Sequence, residues 1–198
     1  SLERRDRISN EVSAAQIAHR VRVGSLPVIN VQVAAHFGHQ GALDVVGCDQ
    51  LLIDCSCNKI NYCFKCTGTN LIVVPTGLTA AICLLCPSHL PVKLIAEWAC
   101  DCVEAAIGPN NEILRSVFVD PVRNWCQGRQ IEPTYHPEVY SGDYLRSACL
   151  SLRSSVMYEQ PAAVNRLTNA VSYSYHAQGH TMAAREWQIS RLCYLMLR

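Results

Sequence analysis

Between Cys55 and Cys86 the chain reads CSCNKINYCFKCTGTNLIVVPTGLTAAICLLC. Two Cys-x-x-Cys knuckles, Cys63/Cys66 and Cys83/Cys86, stand sixteen residues apart. Each knuckle offers two thiolates from one tight turn, and two knuckles complete a closed tetrahedral site for zinc. A gap of this length suits a short hairpin between knuckles. It holds the apolar run Leu71–Val74, then Pro75-Thr76-Gly77, then a second apolar run to Ile82, which reads as strand, turn, strand. Gly68 supplies the freedom in φ that knuckle turns often require. The expected structural zinc ligands are therefore Cys63, Cys66, Cys83 and Cys86. His89 is an alternative ligand to Cys83. Cys48, Cys55 and Cys57 could build a second site or replace one ligand, but Cys-x-Cys chelates one ion less well.

The surrounding composition narrows the setting. A chain of 198 residues, 49% hydrophobic, can bury a core as one domain or two small lobes. Its net charge of +1 does not fit a chain built mainly to coat nucleic acid. The opening SLERRDRISN has no apolar signal core, and no apolar run reaches the ~18 residues of a membrane helix. The twelve cysteines then point to a reducing cytoplasm, where thiols serve as metal ligands and core fillers.

Along the chain, residues 8–22 read as a helix capped by Ser9 or Asn10 and ended by Gly24 and Pro27. Val28, Ile29, Val31 and Val33 read as a short strand, and residues 42–54 as mostly strand. His36 and His39 lie between them, three apart, as ordinary loop residues or weak metal ligands. Residues 92–107 read as a helix closed by Gly108-Pro109, with Cys100 and Cys102 packed inside. Residues 111–124 make a shorter helix interrupted by Pro121, and 127–141 a loop with turns. Apolar stripes then define helices through Leu145–Val156, from Pro161 through Val171 to a stop at Gly179, and from the cap Thr181 to Met196. The expected fold class is α+β. A zinc-stabilised N-terminal lobe (1–110), with short strands and a helix, precedes a mainly helical lobe (111–198).

Catalytic motifs are lacking. There is no Gly-x-Ser-x-Gly, P-loop, Gly-x-Gly-x-x-Gly or His-Glu-x-x-His. A closed four-ligand zinc leaves no position for a reacting water. Arg20, Arg22, Arg146, Arg153, Arg166, Arg185 and Arg191 could follow the phosphates of duplex RNA, or simply form solvated helix faces.

The run Cys57-NKINY-Cys63-FK-Cys66, with another ligand-type residue sixteen positions on, resembles the zinc motif of the outer-capsid protector proteins of turreted double-stranded RNA viruses, the orthoreovirus and aquareovirus group. In that family a His-x-Cys follows; here Cys83 occupies the histidine position and Cys86 falls one residue later. The resemblance spans roughly residues 10–90. It implies a non-enzymatic structural protein of the virion and host cytoplasm that coats the membrane-penetration protein. It further implies contact with other capsid proteins and, in some members, double-stranded RNA. The chain is short for that family, as a fragment or divergent member would be. The second reading is a zinc-knuckle adaptor or ubiquitin-ligase-like module, for which eight sulfurs in order offer two metal sites. A third is a metalloenzyme with an open coordination position.

Overall fold

A computed structural model describes residues 12–36, 39–46, 91–131, 142–159 and 162–198. Among these residues the regular structure is entirely helical. The elements are α1 (Ala14–Arg22), α2 (Val28–His36), α3 (Gln40–Val46), α4 (Val92–Ile107), α5 (Glu112–Leu114), a π-helical turn (Arg115–Val119), α6 (Asp120–Cys126), α7 (Tyr144–Ser155), α8 (Ala162–Ala177) and α9 (Met182–Leu197).

The α+β expectation is therefore corrected. The segment from Val28 to Val33 is helical, and so is the described start of the 42–54 stretch. The buried set in α2 is Val31, Val33, Ala34 and Ala35, whose 31/34/35 spacing is helical. β-branched residues lose only a few tenths of a kcal/mol each in a helix, less than the ~1.5–3 kcal/mol for burying one large apolar side chain. The anchoring is also explicit: Asn30 Nδ2 donates to Met196 O of α9 at 2.9 Å.

α1 starts three to four residues later than the Ser9/Asn10 cap would place it. Ser13 is the cap, in a reciprocal box with Gln16: Gln16 N–H donates to Ser13 Oγ at 3.2 Å, and Ser13 N–H to Gln16 Oε1 at 2.9 Å. At its other end Gly24, with φ +76°, turns the chain away. Arg20 then reaches from α1 to the C-terminal end of α9, donating to Leu197 O and, at 2.8 Å, to Arg198 O. Those carbonyls have no partner within their own helix.

α4 is the centre of the packing. Ile95, Ala96, Trp98, Ala99, Cys100, Cys102 and Val103 are all buried, and the helix packs against α6, α7, α8 and α9. Cys100 and Cys102 fill space, as expected from the sequence. α7 and α8 pack along each other, and both bury small side chains: Ser147, Ala148, Ser151 and Ser155 on one, Ala163, Ala170 and Ser174 on the other. Small residues allow the backbones close together, and several buried hydroxyls are satisfied within their own helix. Ser155 Oγ donates to Leu152 O at 2.7 Å, and Ser174 Oγ to Ala170 O at 2.8 Å.

Pro121 does interrupt its helix, by changing its pitch. It falls in the first turn of α6, where its missing N–H is tolerated, and the preceding turn is π-helical, with Asp120 N–H donating to Arg115 O. The expected caps at Thr181 and stop at Gly179 (φ +79°) are present. Pro161 lies outside the described residues.

Candidate functional site

The four expected zinc ligands, Cys63, Cys66, Cys83 and Cys86, lie outside the described residues, as do Cys48, Cys55, Cys57 and His89. Four thiols are a donor set that suits Zn2+, which takes tetrahedral sulfur coordination readily. Among the described residues no group of three or more His, Cys, Asp or Glu converges as a metal site. His39 has a structural role: buried at the start of α3, its Nδ1 accepts the Ala42 N–H at 3.2 Å. Gly41 beside it permits a close crossing, because a Cβ there would lie 2.6 Å from Val12 O.

The described cysteines are poor nucleophiles. Burial pushes the thiols of Cys100 and Cys102 well above their ordinary range, and those of Cys149 and Cys193 up to about 12. The thiolate is the reactive form, so these groups stay inert near neutral pH.

Two polar constellations stand out. The first is centred on Asp101 of α4, whose side chain is 11% exposed. Its Oδ1 accepts from Arg123 Nη2 of α6 at 2.8 Å and its Oδ2 from Arg191 Nε of α9 at 2.6 Å. Glu104, one turn on, pairs with Arg115 Nε at 3.1 Å and with Arg123. Desolvation works against the Arg123 charge, but these carboxylate partners prevail and raise its pKa. Close by, Trp98 Nε1 donates to Gln188 O at 2.8 Å, and the Gln188 amide donates to Val171 O at 3.1 Å, tying α4, α8 and α9. These groups join helices and bind them in register.

The second constellation surrounds the α8–α9 turn. His176, in the last turn of α8, and His180 meet through their ring nitrogens Nδ1 and Nε2. Their centroids are 4.0 Å apart and their planes nearly perpendicular. Tyr144 stacks on His176 at 4.9 Å, and Tyr175 meets His180 edge-on at 5.2 Å. His180 is the one non-glycine residue at positive φ (+58°) among the described residues, and Tyr175 Oη donates to its carbonyl at 3.0 Å. Partial burial, with His180 and Arg185 nearby, holds the His176 ring below the usual histidine range.

The arginines named for phosphate contact are mostly engaged. Arg153 and Arg185 are buried, Arg191 is paired with Asp101, Arg20 holds α9, and Arg166 lies over the Tyr158 ring at 4.7 Å. Arg22 and Arg146 are exposed. A shared solvated face for the whole set is thus corrected: burial of Arg153 and Arg185 removes it.

No family model, curated protein or solved structure matches the chain. Among the described residues, no helix is long and apolar enough to cross a membrane.

Proposed function

We propose that the chain is a non-enzymatic structural protein that acts by protein–protein contact and is braced by one zinc ion held by Cys63, Cys66, Cys83 and Cys86, with His89 the alternative fourth ligand. Its specific role is that of a viral outer-capsid protein covering a membrane-penetration protein. The observation that carries this reading is the spacing itself: Cys57, five residues, Cys63-x-x-Cys66, then sixteen residues to Cys83. Four thiolates around Zn2+ form a closed shell, whose contribution is to folding.

The flanking geometry supports a bracing role. α3 packs on α1 and α2, while α4 packs among α6 to α9. The cysteine-rich stretch joins α3 to α4 in the chain. A metal clip between Cys63 and Cys86 would restrict the unfolded ensemble of that stretch, as cross-links do.

The test is zinc content together with unfolding. The native chain carries one zinc, Cys66→Ser abolishes it, and chelation lowers the melting temperature and opens residues 47–90 to protease. Two zinc ions per chain would favour the adaptor or ubiquitin-ligase-like reading. A zinc-free native protein, or one whose melting a chelator leaves unchanged, refutes the bracing role. The coat role is tested separately, by co-sedimentation of the zinc-loaded chain with a membrane-penetration protein of this virus group. Failure to bind one refutes that role alone.

A further inference from the structure

We infer that α1, α2 and α3 form one body that parts from the last turns of α9 while the other helices stay packed. Three observations carry this. The first is how the packing divides. Among the described residues α3 packs on α1 and α2, α4 packs with α6 to α9, and the main contact between the two groups is α2 on α9.

The second is a contrast in closeness of fit. Within the front group the crossing is tight: a Cβ on Gly41 of α3 would lie 2.6 Å from Val12 O and 3.3 Å from Ala14 N, so α1 and α3 move together. At the seam between α1 and the end of α9 lies a hollow of about 300 Å3, lined by Val12, Gln16, His19, Arg20, Leu197 and Arg198. Protein interiors leave few voids larger than a water molecule, so a hollow of this size marks a joint where packing contacts are forgone.

The third is the kind of bond that closes the seam. Asn30 Nδ2 donates to Met196 O at 2.9 Å, and Arg20 donates to Leu197 O and, at 2.8 Å, to Arg198 O. All three fall on consecutive carbonyls of α9. Arg20 is partly exposed, so water reaches its guanidinium. Each of these bonds gives way to water on opening, at a small net cost.

Parting the body uncovers α9 where α2 lies on it. Cys193 marks that surface: it is 3% exposed, and its Sγ donates to Ala34 O of α2 at 4.0 Å. Cys149, buried on α7, belongs to the other group. None of these contacts involves a knuckle cysteine. Local opening of such a unit exposes buried surface without global unfolding.

The experiment is native-state hydrogen exchange of the full-length protein in low urea, read by mass spectrometry of peptides, with thiol labelling in parallel. We expect the amides of α1 to α3 and the Cys193 thiol to be reached through one opening, at least about tenfold more often than the amides of α4, α7 and α8. That opening should depend less steeply on urea, because it exposes less surface. Asn30→Ala removes one bond of the seam. It should speed both exchange in α1 to α3 and labelling of Cys193 by about fivefold, the effect of a single hydrogen bond, and leave α7, α8 and Cys149 within about twofold. Equal acceleration of both groups, or amides of α1 to α3 that share the rate and urea dependence of α4, means that the chain opens as one and overturns the proposal. If Asn30→Ala does not fold, the rates and urea dependence of the unmodified protein decide.

Discussion

Replacing Asp101 by asparagine removes one buried negative charge and keeps the side-chain shape. The carboxylate accepts two charge-assisted hydrogen bonds, from Arg123 and Arg191, and each such bond contributes about 1.5–3 kcal/mol when fully buried. Here the guanidinium side chains are 31% and 25% exposed, so water takes over part of the lost interaction. Arg123 also keeps Glu104. Halving the sum for these two reasons leaves roughly 1.5–3 kcal/mol. For a chain of this size that corresponds to a melting temperature lower by about 3–12 °C. The assay is thermal and urea unfolding of the zinc-loaded protein, followed by circular dichroism. Glu104→Gln is the internal comparison: its carboxylate is 31% exposed, and its removal should have about 1 kcal/mol of effect or less. Glu186→Gln, on an exposed position, serves as the blank. A loss for Asp101→Asn below about 0.5 kcal/mol, within the range of ordinary surface changes, refutes the reasoning. So does a Glu104→Gln effect as large as that of Asp101→Asn, because burial would then not set the magnitude.

Three further outcomes follow from the packing and the thiols. Gly41→Ala should destabilise by about 1–3 kcal/mol despite alanine's better helix propensity, because its Cβ would meet Val12 O at 2.6 Å and a backbone atom must move; a stabilised variant in urea unfolding would contradict the close crossing. Ser13→Ala should lose about 1 kcal/mol through the capping box of α1, and amide exchange should rise first in residues 14–17; equal exchange in both proteins counts against the cap. Stability should also fall as pH rises above about 9 toward 12, because Cys149 and Cys193 hold their protons to about 12 when folded and ionise near 9.0 when unfolded. The unfolded chain then binds fewer protons, and each thiol removes up to ~1.4 kcal/mol per pH unit. Cys149→Ala should flatten that slope in denaturant titrations, and an unchanged slope would rule out this cause.

The sequence by itself determined much of the second half of the chain. The apolar stripes through Leu152, Leu167 and Leu192, the cap at Thr181 and the stops at Gly24 and Gly179 are local signals. A helix needs little more than period, cap and terminator to be read from them. The same logic failed at Val28–Val33, where a β-branched run outweighed the helical spacing of Val31, Ala34 and Ala35. Only docking against α9 settles that contest, because the burial exceeds the intrinsic preference of the residues.

The polar constellations were less visible. Asp101 was written plainly as a charged residue inside the apolar run WACDCV, and its isolation was the available signal. Its partners Arg123 and Arg191 come from 22 and 90 residues away, and no local period reports such a pairing. Gln188 was missed for the same reason. His176 and His180 stand four apart, an interval readable in the sequence, but their nitrogens meet only because His180 takes a left-handed backbone against Tyr175. The order of residues therefore decided where helices begin and end. The tertiary structure decided which charges are buried together and which rings face one another, since desolvation and convergence belong to surfaces made by several distant segments at once.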